Sequence, residues 1–243
     1  LSRTQRSEAI VLRSFRYGEA DRIVHLLTRE QGRVGAISKG VRRTRSKLGG
    51  RLEPLSRIAV LLHRGTGELY TVTGADLIES FDPVRADPRR LGIALVGIEA
   101  VVRLFPEEAA PNERLFDGLV RFLEVVERLP VDAPAGDPST DPLTLAFCLK
   151  LIALAGWAPR LDACASCGAP GPLTGYSVTA GGAVCSTCTG FPIAAATLPA
   201  LGALLGRPLE EAPRVDGVAL RQVRRIVDET VAEHAGGRLR TFS

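Results

Sequence analysis

Two groups of residues in this 243-residue chain are spaced for chemistry. The first is Cys164-Ala165-Ser166-Cys167 followed, after 17 residues, by Cys185-Ser186-Thr187-Cys188. Each CxxC turns two thiolates toward one point, and two such pairs complete a tetrahedron around one ion, expected to be Zn2+. Four thiolates leave no coordination position for water or substrate, so the ion is expected to be structural. Two redox-active CxxC pairs, or iron in a rubredoxin-like site, are the other chemistries this spacing permits. The second group is a run of cations. Between Arg33 and Arg64 stand nine Arg or Lys and one acid, Glu53, a net +8 in 32 residues of a chain whose total is +4. Charge gathered in this way suits a polyanion. Lys39, Arg42, Arg43, Arg45, Lys47 and Arg51 are the candidate contacts to nucleic-acid phosphate. A solvated charge run on an ordinary hairpin is the plain alternative, but such runs usually mix both signs.

The elements that position the cations read as strands. Ala9–Ser14, Arg22–Thr28, Val34–Lys39, Leu55–His63 and Glu68–Thr73 alternate or run apolar. Tyr17-Gly18, Gln31-Gly32, Gly49-Gly50 and Gly65-Thr66-Gly67 break them apart. In the fourth, Ile58, Val60 and Leu62 fall on one face and Ala59, Leu61 and His63 on the other. The cations from Lys39 to Arg51 therefore occupy a glycine-bounded loop between two strands, free to follow a phosphate backbone without reading bases. Five short strands in about 70 residues suit a small Greek-key barrel of the OB type, and an SH3-like barrel fits the same count. Residues 1–81 carry 15 basic and 8 acidic side chains, and the remaining 162 residues total −3. The charge boundary thus coincides with a structural one near Asp82-Pro83.

From Asp87 the period becomes helical. Leu91, Leu95, Ile98, Val102 and Phe105 form one stripe, closed by Pro106. Leu115, Leu119, Phe122, Val126 and Leu129 form a second after Pro111-Asn112, and residues 130–138 read as a linker. Asp141 and Pro142 are an N-cap and first-turn pair. The helix they open, Leu143–Ala155, is apolar nearly all round and belongs at the centre of a bundle, with Cys148 as a core residue and Trp157 as a packing residue. A short helix over Leu198–Leu205 precedes a last one over Val218–His234. That helix buries Val223, Ile226, Val227, Thr230 and Val231, with Arg221, Arg224 and Arg225 opposite and Arg224 spaced to pair with Asp228. The fold class is α+β and multidomain: an OB-type barrel over 1–81, a helical domain over 82–160 and 194–243, and a four-cysteine zinc-binding module inserted at 161–193.

Catalytic patterns are missing. His25, His63 and His234 are isolated in sequence, and there is no GxxxxGK[ST], no GxSxG and no HxE ahead of a CxxC. The chain is therefore expected not to be an enzyme. Aromatic residues are few, at 5%, and none lies in the basic loop, so base stacking is expected to be weak. No apolar run is long enough to span a membrane and no secretory leader is evident. The paired cysteines suit a reducing cytoplasm. Leu1 opens a chain without Met, so a few native N-terminal residues are expected to be missing or replaced.

The stretch from Glu8 to Ser80 resembles the N-terminal domain of the bacterial recombination mediator RecO. The resemblance lies in AIVLRS, in YGEADRIVHLLT (Tyr17 to Thr28), in GRVGAISKGVRRTRSKLGG (Gly32 to Gly50) and in the closing strand. The tract Ser38–Gly50 is its most specific part, and the later helices, the paired CxxC motifs and a short basic C-terminal end extend it over essentially the whole chain. The resemblance implies an OB-fold, a helical bundle and a zinc-binding insertion. It also implies binding of single- and double-stranded DNA, strand annealing, partnership with RecR, and help in placing RecA on DNA coated by single-strand-binding protein, when the chain joins the nucleoid. An OB or zinc-ribbon protein that binds RNA, and a protein adaptor whose basic loop meets an acidic surface, are the competing classes.

Overall fold

The computed structural model describes residues 4–41, 48–107, 110–131 and 136–242. The alternating segments become β1 (Thr4–Tyr17), β2 (Asp21–Thr28), β3 (Gly32–Ser38), β4 (Arg57–Arg64) and β5 (Tyr70–Glu79). The periodic ones become α1 (Asp82–Ala86), α2 (Pro88–Leu104), α3 (Glu113–Glu127), α4 (Pro142–Leu154), α5 (Thr197–Gly206) and α6 (Gly217–Ala235). Between α4 and α5 lie three short strands, β6 (Leu173–Ser177), β7 (Gly182–Cys185) and β8 (Phe191–Pro192). Two compact units result. One comprises Leu1–Ala86 with Phe105–Glu127, the other Asp87–Leu104 with Arg128–Ser243. Helix α3, grouped with the later helices by sequence alone, thus lies in the unit of the barrel.

In the first unit β1 is long enough to serve two neighbours. Its first half, Thr4–Ile10, pairs with β4, and its second, Ala9–Tyr17, pairs with β2. A register shift between Val11 and Arg13 marks a β-bulge, the feature that lets a strand bend around a barrel corner. The barrel closes in the order β1-β2-β3-β5-β4. The β3–β5 pair is parallel, Ala36 opposite Tyr70 and Ile37 opposite Thr71, while every other pair in the barrel is antiparallel. That Greek-key closure is OB-like and separates the two barrels left open by strand counting. Its lumen holds Val24 and Leu26, Val34 and Ala36, and Ile58, Val60 and Leu62, the last three on the face that alternation assigned. The opposite face of β4 is exposed at Leu61.

The second unit is built around α4. Asp141 caps it, accepting the Leu143 amide at 3.0 Å, and Pro142 occupies the first turn. Nine of its 13 residues are buried, and α2, α5 and α6 pack against it, which makes it the centre of this bundle. Cys148 is fully buried there. Desolvation, with a contribution from Glu99, pushes its thiol up to about 12, so it is an inert core residue.

The stripe expected on α2 needs correction. Leu95 is exposed (42%), and the buried face runs through Arg90, Ile93, Ala94, Gly97, Ile98, Val101 and Leu104. Apolar residues occur on more than one side of this helix, so the neighbours decide which side is covered. Helix α6 buries the five residues expected of it and ends at Gly236, whose φ of 67° is the left-handed conformation of a C-cap. Among the described residues its ion pairs include Arg224–Asp137, Arg225–Glu229 and Arg238–Asp228, where helical spacing alone suggested Arg224–Asp228.

Candidate functional site

The basic loop is anchored at both ends. On the entry side Val41 is buried in the barrel core, and the Gly40 amide donates to Asp21 Oδ1 at 2.7 Å. On the exit side Leu52 is fully buried, and Leu48 packs against the same core. A 3-10 turn at Gly50–Leu52 follows Leu48, whose carbonyl accepts from the amides of Arg51 and Leu52. Glu53 is paired with Arg22 of β2 at 2.7 Å. Apolar anchors at 41, 48 and 52 therefore bracket the cation-rich segment. Arg42, Arg43, Arg45 and Lys47 lie outside the described residues.

The described cations of the run divide into two kinds. Lys39 is exposed at the end of β3 and makes no ion pair among the described residues. Arg51 is half-buried, donating to the Ala75 carbonyl at 2.6 Å and pairing with Asp76 at 3.1 Å, so it also ties the loop to β5. Arg57 is held by Glu8 and Glu79, and Arg33 by Glu107. Arg64 lies over the Tyr70 ring at 4.7 Å. Part of the cationic run thus holds the barrel together, which counting charge cannot distinguish.

Other cations escape a reading centred on the loop. Arg13 and Arg16 of β1 are exposed and form no ion pair among the described residues, and Phe15 (48%) and Tyr17 (54%) project into solvent beside them. The signal was present in Arg13-Ser14-Phe15-Arg16-Tyr17, where cations and aromatics adjoin at the end of a strand. His25 is not isolated either. Its Nδ1 lies 2.5 Å from Glu107 Oε1, and its ring meets Phe15 edge-on at 5.7 Å between centroids. Burial pushes the Glu107 carboxyl up, but the bonds from His25 and the charge of Arg33 outweigh it and leave the group below its ordinary value. His63 meets Thr4 Oγ1 at 3.2 Å. In the second unit His234 stacks on Trp157, centroids 4.5 Å apart and planes 8° from parallel, which is the packing role expected of that Trp.

The four paired cysteines converge. The β6–β7 hairpin brings Cys185 and Cys188 back to Cys164 and Cys167, and all four Sγ atoms lie within 4.8 Å of one another. Cys167 and Cys185 Sγ are 3.8 Å apart. Four sulfurs about 2.3 Å from a tetrahedral Zn2+ would be separated by about 3.8 Å, so the cluster has the size such an ion needs. The amides of Cys167 and Cys185 point at Cys164 Sγ from 3.5 and 3.4 Å. They bring its thiol down to about 6, favouring the thiolate that binds metal. Close packing holds the knuckle in place. A Cβ on Gly182 would come within 2.8 Å of the Arg160 amide nitrogen and closer still to its carbonyl oxygen.

Family comparisons cover both units. Residues 3–81 match the model described as recombination protein O N terminal, and residues 85–241 match recombination protein O C terminal. The chain belongs to the recombination protein O (RecO) family. A curated relative, the DNA repair protein RecO of Rubrobacter xylanophilus, is 40% identical over 240 residues, spanning 96% of this chain and 92% of that protein. An OB-like barrel followed by helices and a four-cysteine cluster able to hold a metal ion are thus the framework of this RecO chain. No helix among its described residues is long and apolar enough to cross a membrane.

Proposed function

We propose that this RecO-family chain is a non-catalytic recombination mediator in the cytoplasm. In this role it binds single- and double-stranded DNA, anneals complementary strands and, with RecR, assists RecA loading onto DNA coated with single-strand-binding protein. The observation that carries this reading is the match of both family models along a chain whose OB-like barrel carries the anchored basic loop. Lys39, Arg42, Arg43, Arg45, Lys47 and Arg51 are the proposed phosphate contacts, with Arg51 shared between DNA and Asp76. The paired cysteines would hold one Zn2+, whose binding in isolated peptides is worth about 10–16 kcal/mol, as a brace for a module too small for its own core.

Annealing requires two mutually repelling strands to be held close. A cationic surface lowers that repulsion while leaving base edges free to find their complements. The test is strand annealing by Arg42→Ala/Arg43→Ala/Arg45→Ala. Annealing should be lost with the melting curve unchanged, and undiminished annealing by the folded variant would reject the loop as the contact surface. With about five phosphate contacts, log affinity for single strands should fall against log salt with a slope of about −3.5.

A further inference from the structure

We infer that Phe15 and Tyr17 form a stacking platform for unpaired bases, on the hairpin to which both ends of the basic loop are anchored. The inference rests on the nucleic-acid reading above and assigns to the same end of the barrel a second, non-electrostatic mode of contact. Phe15 and Tyr17 occupy alternate positions of β1, so both project from the face that carries Arg13. Each is about half exposed, which leaves part of each ring open to a ligand. Both ends of the basic loop meet this hairpin. Arg22, opposite Arg16 on β2, pairs with Ser38 of β3 in register and with Glu53 by charge, and Asp21, opposite Tyr17, receives the Gly40 amide. Lys39, just past β3, therefore falls two strands across from Tyr17, and Arg13 is exposed on the same face as the rings. Cations beside open aromatic faces suit phosphate and base together, the arrangement by which OB-folds hold single strands.

Geometry favours an unpaired strand over a duplex. Alternate residues on a strand are about 6.8 Å apart, twice the roughly 3.4 Å between stacked nucleotides. Bases lying on successive rings must therefore part from one another, which an extended single strand allows and a duplex resists. Phe15 is also held in place: His25 meets its ring at 88°, and Glu107 fixes His25. A preset ring loses little freedom when a base arrives.

The test compares the full chain with Phe15→Ala/Tyr17→Ala and Phe15→Leu/Tyr17→Leu, by anisotropy of a labelled oligothymidine and of a duplex of equal length. Stacking worth at least about fivefold per ring predicts about a 30-fold weaker single-strand affinity for both double variants. Duplex affinity should stay within about twofold and the salt slope should not change, because phosphate contacts are untouched. The exchange Phe15→Tyr/Tyr17→Phe should restore single-strand affinity. Folded Ala and Leu variants that keep the parent's single-strand affinity, or lose single-strand and duplex affinity equally, would overturn the platform. Failure of the phosphate reading looks different: a flat salt slope in the parent chain itself.

Discussion

Glu99, midway along α2, and Thr241, 142 residues later, are joined by two hydrogen bonds. The Thr241 amide donates to Glu99 Oε2 at 2.9 Å and its hydroxyl to the same oxygen at 2.7 Å, while the Arg240 amide takes Oε1 at 2.8 Å. One buried carboxylate thus ties the end of the described chain to the helical unit, with Leu239 fully buried beside the tie. Burial pushes the Glu99 carboxyl up, but these three donors and Arg103 outweigh that cost and leave it below its ordinary value.

Glu99→Gln should therefore loosen the C-terminal turn by about 1–3 kcal/mol, read as faster hydrogen exchange at the Arg240 and Thr241 amides. The sign of the pH dependence follows from the depressed value. The contribution is complete above the ordinary carboxylate range and is lost as pH falls through the lower folded-state value. Parent and variant should accordingly differ at neutral pH and converge in acid. Equal exchange rates at neutral pH would show that the tie does not hold the turn.

The cysteine cluster makes a stoichiometric prediction. The purified chain should contain one metal ion, and Cys→Ser at Cys164, Cys167, Cys185 or Cys188 should lower that content and the melting temperature together. Cys148→Ala, remote from the cluster and buried in α4, should keep the metal. Gly182→Ala should imitate metal loss by pushing the hairpin away from Arg160, at a cost of about 1–3 kcal/mol. Metal content measured alongside melting separates this reading from simple core damage, which would lower stability and leave the ion bound.

The loop anchors make another. Leu52→Ala should destabilise the barrel by about 2–5 kcal/mol, because the side chain is fully enclosed. Asp76→Asn should have little effect on stability and should release Arg51 from an exposed acid. Since such pairs are worth about 0.2–1 kcal/mol, single-strand affinity should rise by about 1.5- to 5-fold at low salt. An affinity left unchanged by this substitution would assign Arg51 to the barrel alone.

Local chemistry was readable in the residues themselves. Alternation at Ile58, Val60 and Leu62 identified a lumen face, Asp141-Pro142 opened a helix, and CxxC spacing identified a four-thiolate site, because each depends on neighbours a few positions away. The stretch Arg13-Ser14-Phe15-Arg16-Tyr17 was equally local. Its exposure was not, since strand alternation says which side chains share a face and not which face is covered.

Only the tertiary structure decided the rest, for one physical reason: the deciding partners are far apart in the chain. Pairing of β3 with β5 settled the barrel type. Packing around α2 left Leu95 in solvent and placed Glu99 inside. Arg51 found Asp76 and His25 found Glu107 across loops that no spacing rule spans. The sequence by itself determined where charge, thiols and apolar periods lie. Closure of the chain on itself then determined which cations meet acids, which stay open, and which aromatic rings are left facing solvent beside them.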